Sequence, residues 1–269
     1  MFWINYSSSD LSRVRLCSVR LGEFRRAGLL TITKITGNTM ASINFIGGEK
    51  GGVGKSVTAR ALAQYFIDKG VPFTGFDTDR SHHSFNRFYA DYASPVVVDS
   101  YEGMDLIAAA FEDNPQQSVI VDLAAQTSAP LAKWIKDASL MELFGDMGVT
   151  VNLWHVMDDG RDAVDLLGRL VDTYGQGPNY VVVQNQGRGS DFVLLRDSYA
   201  LQKAEAHGAH VIELPRLHDA CMRKIDQNNT SFWKAIHDKD SSDALGMLER
   251  QRVKTWLKNC YAVFDKLPV

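Results

Sequence analysis

The stretch GGEKGGVGKSVTAR, residues 47–60, decides how the rest of the chain is read. It follows a short apolar run, SINFI (42–46), and leads into a segment with Val57, Ala61, Leu62, Tyr65 and Phe66 at helical spacing, which stops at Gly70. A strand, a glycine loop and a helix in that order gather backbone N–H groups and a helix N-terminus around one point, which suits phosphate oxygens. Gly51, Gly52 and Gly54 permit the backbone angles such a loop needs. Lys55 is placed to neutralise phosphate charge, and the Ser56 hydroxyl to ligate Mg2+. A glycine-rich surface turn is the plainer alternative, but the strand before and the G-K-S after tell against it. The usual pattern is G-x-x-x-x-G-K-[ST]. Its first glycine falls at position 49, where this chain has Glu49, and the loop carries a second lysine, Lys50.

Beyond Gly70 the chain alternates. VPFTGFDTD (71–79), SPVVVDS (94–100), SVIVDLA (118–124), VTVNLWHVMDD (149–159), NYVVVQNQ (179–186) and HVIELP (210–215) read as strands. The segments 101–113, 161–175, 191–208, 219–229 and 241–267 read as helices. Near-continuous Val/Ile runs suggest strands buried on both faces, hence a mostly parallel sheet. The expected fold is a doubly wound α/β domain with helices on both faces.

Composition agrees. The chain has 269 residues, a formal net charge of −3, 45% hydrophobic and 23% charged residues, an ordinary globular balance that argues against a protein coated in nucleic acid. Cys17, Cys221 and Cys260 form no CxxC pair, which excludes an obvious zinc site or disulfide framework and fits a reducing cytoplasm. No apolar run approaches the ~20 residues that span a bilayer, and no signal-peptide pattern opens the chain. Residues 1–39 differ from the rest. They are rich in Arg and Ser, lack a sustained period, and end just before Met40 and the first strand. The expectation is a poorly ordered extension on a functional domain spanning 40–269; a basic arm for DNA or membrane is the alternative.

The run KGGVGKS (50–56) resembles the deviant Walker A signature of the ParA/MinD family of P-loop ATPases. The resemblance extends over roughly residues 40–225 and implies an ATP- and Mg2+-dependent homodimer with slow, switch-type hydrolysis. It implies that Lys55 acts in its own site and Lys50 reaches the partner's phosphates. It places Gly51, Gly52, Val53, Gly54, Lys55, Ser56 and Val57 on the nucleotide. FDTD (76–79) resembles the family's switch I, so Asp79 would position the attacking water and Asp77 support Mg2+ through water. The Pro-Gln usual after it is here Arg80-Ser81-His82-His83, more simply read as polar loop residues. Asp122 ends an apolar strand in a Walker B pattern and would hold Mg2+, with Ala124, Ala125 and Gln126 following.

Asn185 would read the adenine edge, with turn capping as an equal alternative; Pro215 and Arg216 resemble the loop that covers the base. In the last helix Val253, Trp256, Leu257, Tyr261 and Phe264 share a face. Packing on its own domain is preferred over a membrane-binding role as in MinD relatives. Arg223, Lys224, Arg250, Arg252, Lys254 and Lys258 form a candidate patch for nonspecific DNA. The family implies a role in plasmid or DNA partition, stability or mobilisation, with an adaptor or activator protein as partner. A dethiobiotin-synthetase-like ligase is disfavoured by Lys50, a tyrosine autokinase by the lack of a terminal tyrosine cluster, and a redox iron protein by the cysteine placement.

Overall fold

Strand β1 (Ser42–Gly47) lies inside a seven-stranded sheet, hydrogen-bonded to β4 (Ser118–Asp122) on one side and β5 (Thr150–Met157) on the other. The computed structural model describes residues 41–269; the extension expected over 1–39 lies outside the described residues. With β2 (Phe73–Asp77), β3 (Ala93–Pro95), β6 (Asn179–Asn185) and β7 (His210–Leu214), the strand order is β3-β2-β4-β1-β5-β6-β7, and every pairing is parallel. The order reverses around β1. The carboxyl end of that strand is therefore a switch point, where a crevice opens beyond the sheet.

Side chains alternate across the sheet. Phe45, Val121, Leu153 and Val182 face the layer of α2 (Tyr101–Asp113), α3 (Ser128–Asp137), α4 (Leu140–Asp146), α5 (Arg161–Tyr174), α6 (Val193–Arg196) and α7 (Tyr199–Ala206). Ile46, Ile120, Trp154 and Val183 face the layer of α1 (Lys55–Lys69), α8 (Asp219–Gln227), α9 (Phe232–His237) and α10 (Met247–Phe264). Apolar cover on both faces explains the continuous Val/Ile runs.

Several segments depart from expectation for identifiable reasons. After Pro95 the chain leaves the sheet, and Val96 and Val98 are buried in the α2 layer rather than in a strand. Helices α3 and α4 lie outside the expected elements, although Leu131, Trp134 and Ile135 recur at helical spacing; Pro130 sits in the first turn of α3, where its missing N–H is no loss. The helix expected over 191–208 is two helices, because the Ser198 hydroxyl accepts from the Leu201 N–H and restarts the chain as α7. The last helix begins at Met247, where Glu249 turns back to accept the Gly246 N–H at 2.8 Å. Val253, Trp256, Leu257, Cys260 and Phe264 are buried against the domain, so α10 packs on its own fold. Tyr261 is half-buried and donates to Asp68. No helix among the described residues is long and apolar enough to cross a membrane.

A polar ladder crosses the sheet beneath α10. Asn44 Oδ1 accepts from Asn152 Nδ2 at 3.0 Å and from Trp154 Nε1 at 3.1 Å. Asn152 Nδ2 also reaches the Pro268 carbonyl, and Asn152 Oδ1 accepts from Asn179. Buried amides of this kind fix register as long as each is paired. Asn44→Ala leaves the Trp154 N–H without an acceptor and should lower stability by about 2–3 kcal/mol in urea unfolding.

Candidate functional site

The turn joining β1 to α1 is built around two glycines that admit no side chain. Gly54 caps α1 with φ 99°, and a Cβ there would lie 2.2 Å from Asn185 Nδ2. Gly48 has φ 133°, and its Cβ would lie 2.4 Å from the Val156 carbonyl oxygen. Both conformations belong to glycine. Asn185 Nδ2 donates to the Val53 carbonyl at 2.7 Å, and its Oδ1 accepts the Gly187 N–H at 3.0 Å. Its amide therefore fastens the loop to the end of β6 and caps its own turn, the second of the two roles the sequence left open.

Lys55 opens α1 and is buried, its Nζ donating to the Lys50 carbonyl at 3.0 Å. Burial lowers its pKa, opposed by the charges of Asp122, Asp79 and Glu49. Asp122 ends β4 fully buried, and neither carboxylate oxygen has a hydrogen-bond partner. Burial pushes its pKa up to about 7; Asp77 and Asp79 add to the rise, while the Ser56 hydroxyl and Lys55 oppose it. Two sealed, unpartnered oxygens are costly. With the Ser56 hydroxyl they make an oxygen donor set of the kind Mg2+ takes.

Asp77 is placed differently from the expected metal-supporting role. Its Oδ1 accepts the Asp79 N–H, and its Oδ2 accepts the N–H groups of Phe85 and Asn86 at 2.8 and 2.9 Å. It frames the 78–86 loop from beneath. Asp79 stands in that loop. Burial raises its pKa, but the N–H groups of Ser81 and His82 and the His82 ring outweigh this and hold it low. His83 has φ 47° and a buried, unpartnered Nδ1. Arg80 is tied to Asp99 at 3.0 Å. Thr78 links the ends of β2 and β4, donating to the Asp122 carbonyl and accepting the Ala124 N–H.

Lys50 lies against its own chain, its Nζ 2.8 Å from Asp158 Oδ2 just beyond β5. That contact raises its pKa. Glu49, where the usual loop has glycine, accepts the Ser128 N–H at 3.0 Å and so caps α3, whose own N-cap residue Thr127 provides no side-chain cap. Asp158 and the Glu49 contact were missed from sequence. The signal for Asp158 was present, a carboxylate at the carboxyl end of a strand; Glu49 carries no local signal for a partner 79 residues away.

Over the loop opens a cavity of about 760 Å3, lined by Gly51, Gly52, Gly54, Lys55, Ser56 and Val57 and by Thr78, Asp79 and residues 123–127. Arg60, Arg80, Arg87 and Arg188 also line it, with Asp226 paired to Arg60 and Asp99 to Arg80; of these arginines the sequence reading included Arg80 alone. Val53 is buried behind the loop. Pro215 and Arg216 are not brought to this cavity: Trp256 Nε1 donates to the Pro215 carbonyl, and Arg216 forks onto Asp219 beside α10.

An all-parallel sheet whose central strand delivers K-G-G-V-G-K-S to a cavity of this size is similar to the arrangement of the ParA/MinD-like P-loop nucleotide-binding proteins. The chain is 25% identical over 251 residues to Protein TraL of Escherichia coli, covering 86% of this chain and 100% of TraL. It is 25% identical over 202 residues to Protein MobD of Acidithiobacillus ferrooxidans, covering 73% and 87% of the two chains. The MinD cell division protein of Aquifex aeolicus superposes with a TM-score of 0.48 at 12% identity, over 82% of this chain and 97% of that one. No family model matches the chain.

The Asp122 shift has a sign that can be checked. A carboxyl whose pKa rises on folding binds its proton more tightly in the folded state, so the protein free of metal should lose stability as pH rises from about 4 to about 7. Asp122→Asn mimics the protonated form. It should raise the thermal midpoint of the metal-free protein more at pH 8 than at pH 5.

Proposed function

We propose that this chain is an ATP-dependent dimerising switch of the ParA/MinD type, acting in the cytoplasm in plasmid or DNA partition, stability or mobilisation. The observation that carries the reading is the meeting of Lys55, Ser56 and the unpartnered Asp122 carboxylate at the carboxyl end of the central strand. Ser56 and Asp122 would hold Mg2+, which offsets phosphate charge when bound. The loop N–H groups and Lys55 bind and orient the β- and γ-phosphates. Asp79, at the cavity wall, orients the attacking water. The names of the relatives TraL and MobD support a role in plasmid transfer or mobilisation.

In this reading the Lys50–Asp158 pair is the resting position of the second lysine. Dimerisation moves Lys50 off Asp158 and onto the partner's phosphates. Partly exposed ion pairs of this kind are weak, so exchange for a phosphate contact is favourable. The C-terminal surface supplies the contact with DNA. Lys224 is taken up by Glu249, whereas Arg223, Arg252, Lys254 and Lys258 are exposed with no ion-pair partner among the described residues.

Size-exclusion chromatography with light scattering, run with ADP and with ATP, tests the switch. Lys50→Ala should bind nucleotide as a monomer but fail to dimerise, with hydrolysis lower by about 10³–10⁵ if the lysine acts as a trans cation. Asp158→Asn should dimerise at lower ATP, and Asp79→Ala should dimerise and stay so. A Lys50→Ala protein that dimerises and hydrolyses like the wild type refutes the reading.

DNA binding should require ATP and weaken steeply with salt. The double variant Lys254→Ala, Lys258→Ala should flatten the log–log salt slope by about 2, close to one counterion per lost phosphate contact. Mobility-shift titrations at several salt concentrations measure it.

A further inference from the structure

A second cavity lies on the other side of β1 from α1, between α3 and α5. Its volume is about 460 Å3, within the range of small-molecule sites. Phe45, Leu123, Leu131, Leu153 and Leu170 make its walls apolar. Into this lining the fold places a buried histidine. His155 is 3% exposed, and its Nε2 meets the Ala163 carbonyl at 2.8 Å. A carbonyl only accepts, so Nε2 carries the proton and Nδ1 is a bare acceptor. Nδ1 has no hydrogen-bond partner among the described residues. Burial holds the ring neutral, its pKa lowered to about 4, so it stays an acceptor throughout the physiological range. Tyr174, at the same cavity, buries a hydroxyl with no partner. The Tyr174 hydroxyl, sealed without a partner, costs free energy that an occupant able to bond it restores, and His155 Nδ1 offers an acceptor to that occupant's donor.

We propose that this cavity is a second binding site, for a largely apolar small molecule of about bicyclic size that donates a hydrogen bond to His155 Nδ1. The site is separate from the nucleotide cavity but shares the wall formed by Leu123, Ala124 and Thr127. It also contains Glu49, which caps α3 from the phosphate loop. An occupant therefore bears on the same residues that border the phosphates, and its binding and that of nucleotide are coupled reciprocally. The proposal does not depend on hydrolysis or dimerisation.

The probe is 2-naphthol, with naphthalene as the control that lacks the donor, titrated calorimetrically into the full chain with and without ADP. One 2-naphthol per chain should bind in both conditions, and naphthalene about tenfold more weakly. Ala132→Phe and Leu170→Trp, which fill the cavity from α3 and α5, should each weaken 2-naphthol at least tenfold while the chain still binds ADP. If one of these variants fails to fold, the other decides. Absence of binding, competitive displacement by ADP, equal affinity for naphthalene, or undiminished binding to a folded cavity-filling variant overturns the proposal.

Discussion

The site depends on one close contact, that between the Gly54 backbone and the Asn185 side chain. With φ 99° and no room for a Cβ, Gly54 turns the chain directly from loop into helix, and Asn185 holds the preceding carbonyl in place. The contact joins the head of α1 to the end of β6, two strands away from β1 in the sheet. It fixes where the N–H groups of the loop point, and so where a phosphate must sit. Asp122 and Asp79 have meaning only relative to that point. Because β4 and β5 flank β1 in parallel register, their carboxyl ends come to it without further adjustment.

Charge is distributed around this point with an imbalance that a proton on Asp122 or a bound cation corrects. Lys55 is buried yet has no carboxylate in ion-pair contact; it rests on a backbone carbonyl. Asp122 is buried without any partner. The nearby Asp77 escapes the same cost because three backbone N–H groups satisfy it. Three aspartates close in space thus have three different jobs, set by whether their oxygens are sealed and empty, sealed and filled, or half-exposed in a loop. The two ends of the loop are held as well: Lys50 lies on Asp158, and Glu49 caps α3. One hydrogen bond thus ties the loop to the first turn of α3.

The two helix layers have different characters. The α1 side is closed by α10, whose aromatic and aliphatic face is buried against the sheet, and by the amide ladder through Asn44 and Asn152. The α3–α5 side leaves a cavity with an unused imidazole nitrogen. A closed layer on one face and an open seam on the other place the cavity beside Glu49 and the end of β4 rather than beside Asn185.

The sequence by itself determined the parallel α/β fold, the phosphate loop and the strand-end Asp122, because each is a local signal. Val/Ile runs report burial on both faces, and glycine spacing and G-K-S report backbone geometry within a few residues. The packed face of α10 was legible for the same reason, its apolar residues recurring at helical spacing. Tertiary structure decided what local pattern does not encode. Asp77 and Asp79 are two residues apart, a spacing that would put them on one face of a continuing strand, but β2 ends at Asp77 and the chain turns there, so one carboxylate lies under the loop and the other stands in it. Asn185 and Arg216 look alike as candidates for contact with a base, but only the fold spends the Asn185 amide on Val53 and carries Arg216 away to Asp219. Lys50 and Asp158, or Glu49 and Ser128, meet because parallel strands bring distant segments to one end of the sheet, and no spacing in the chain records that encounter.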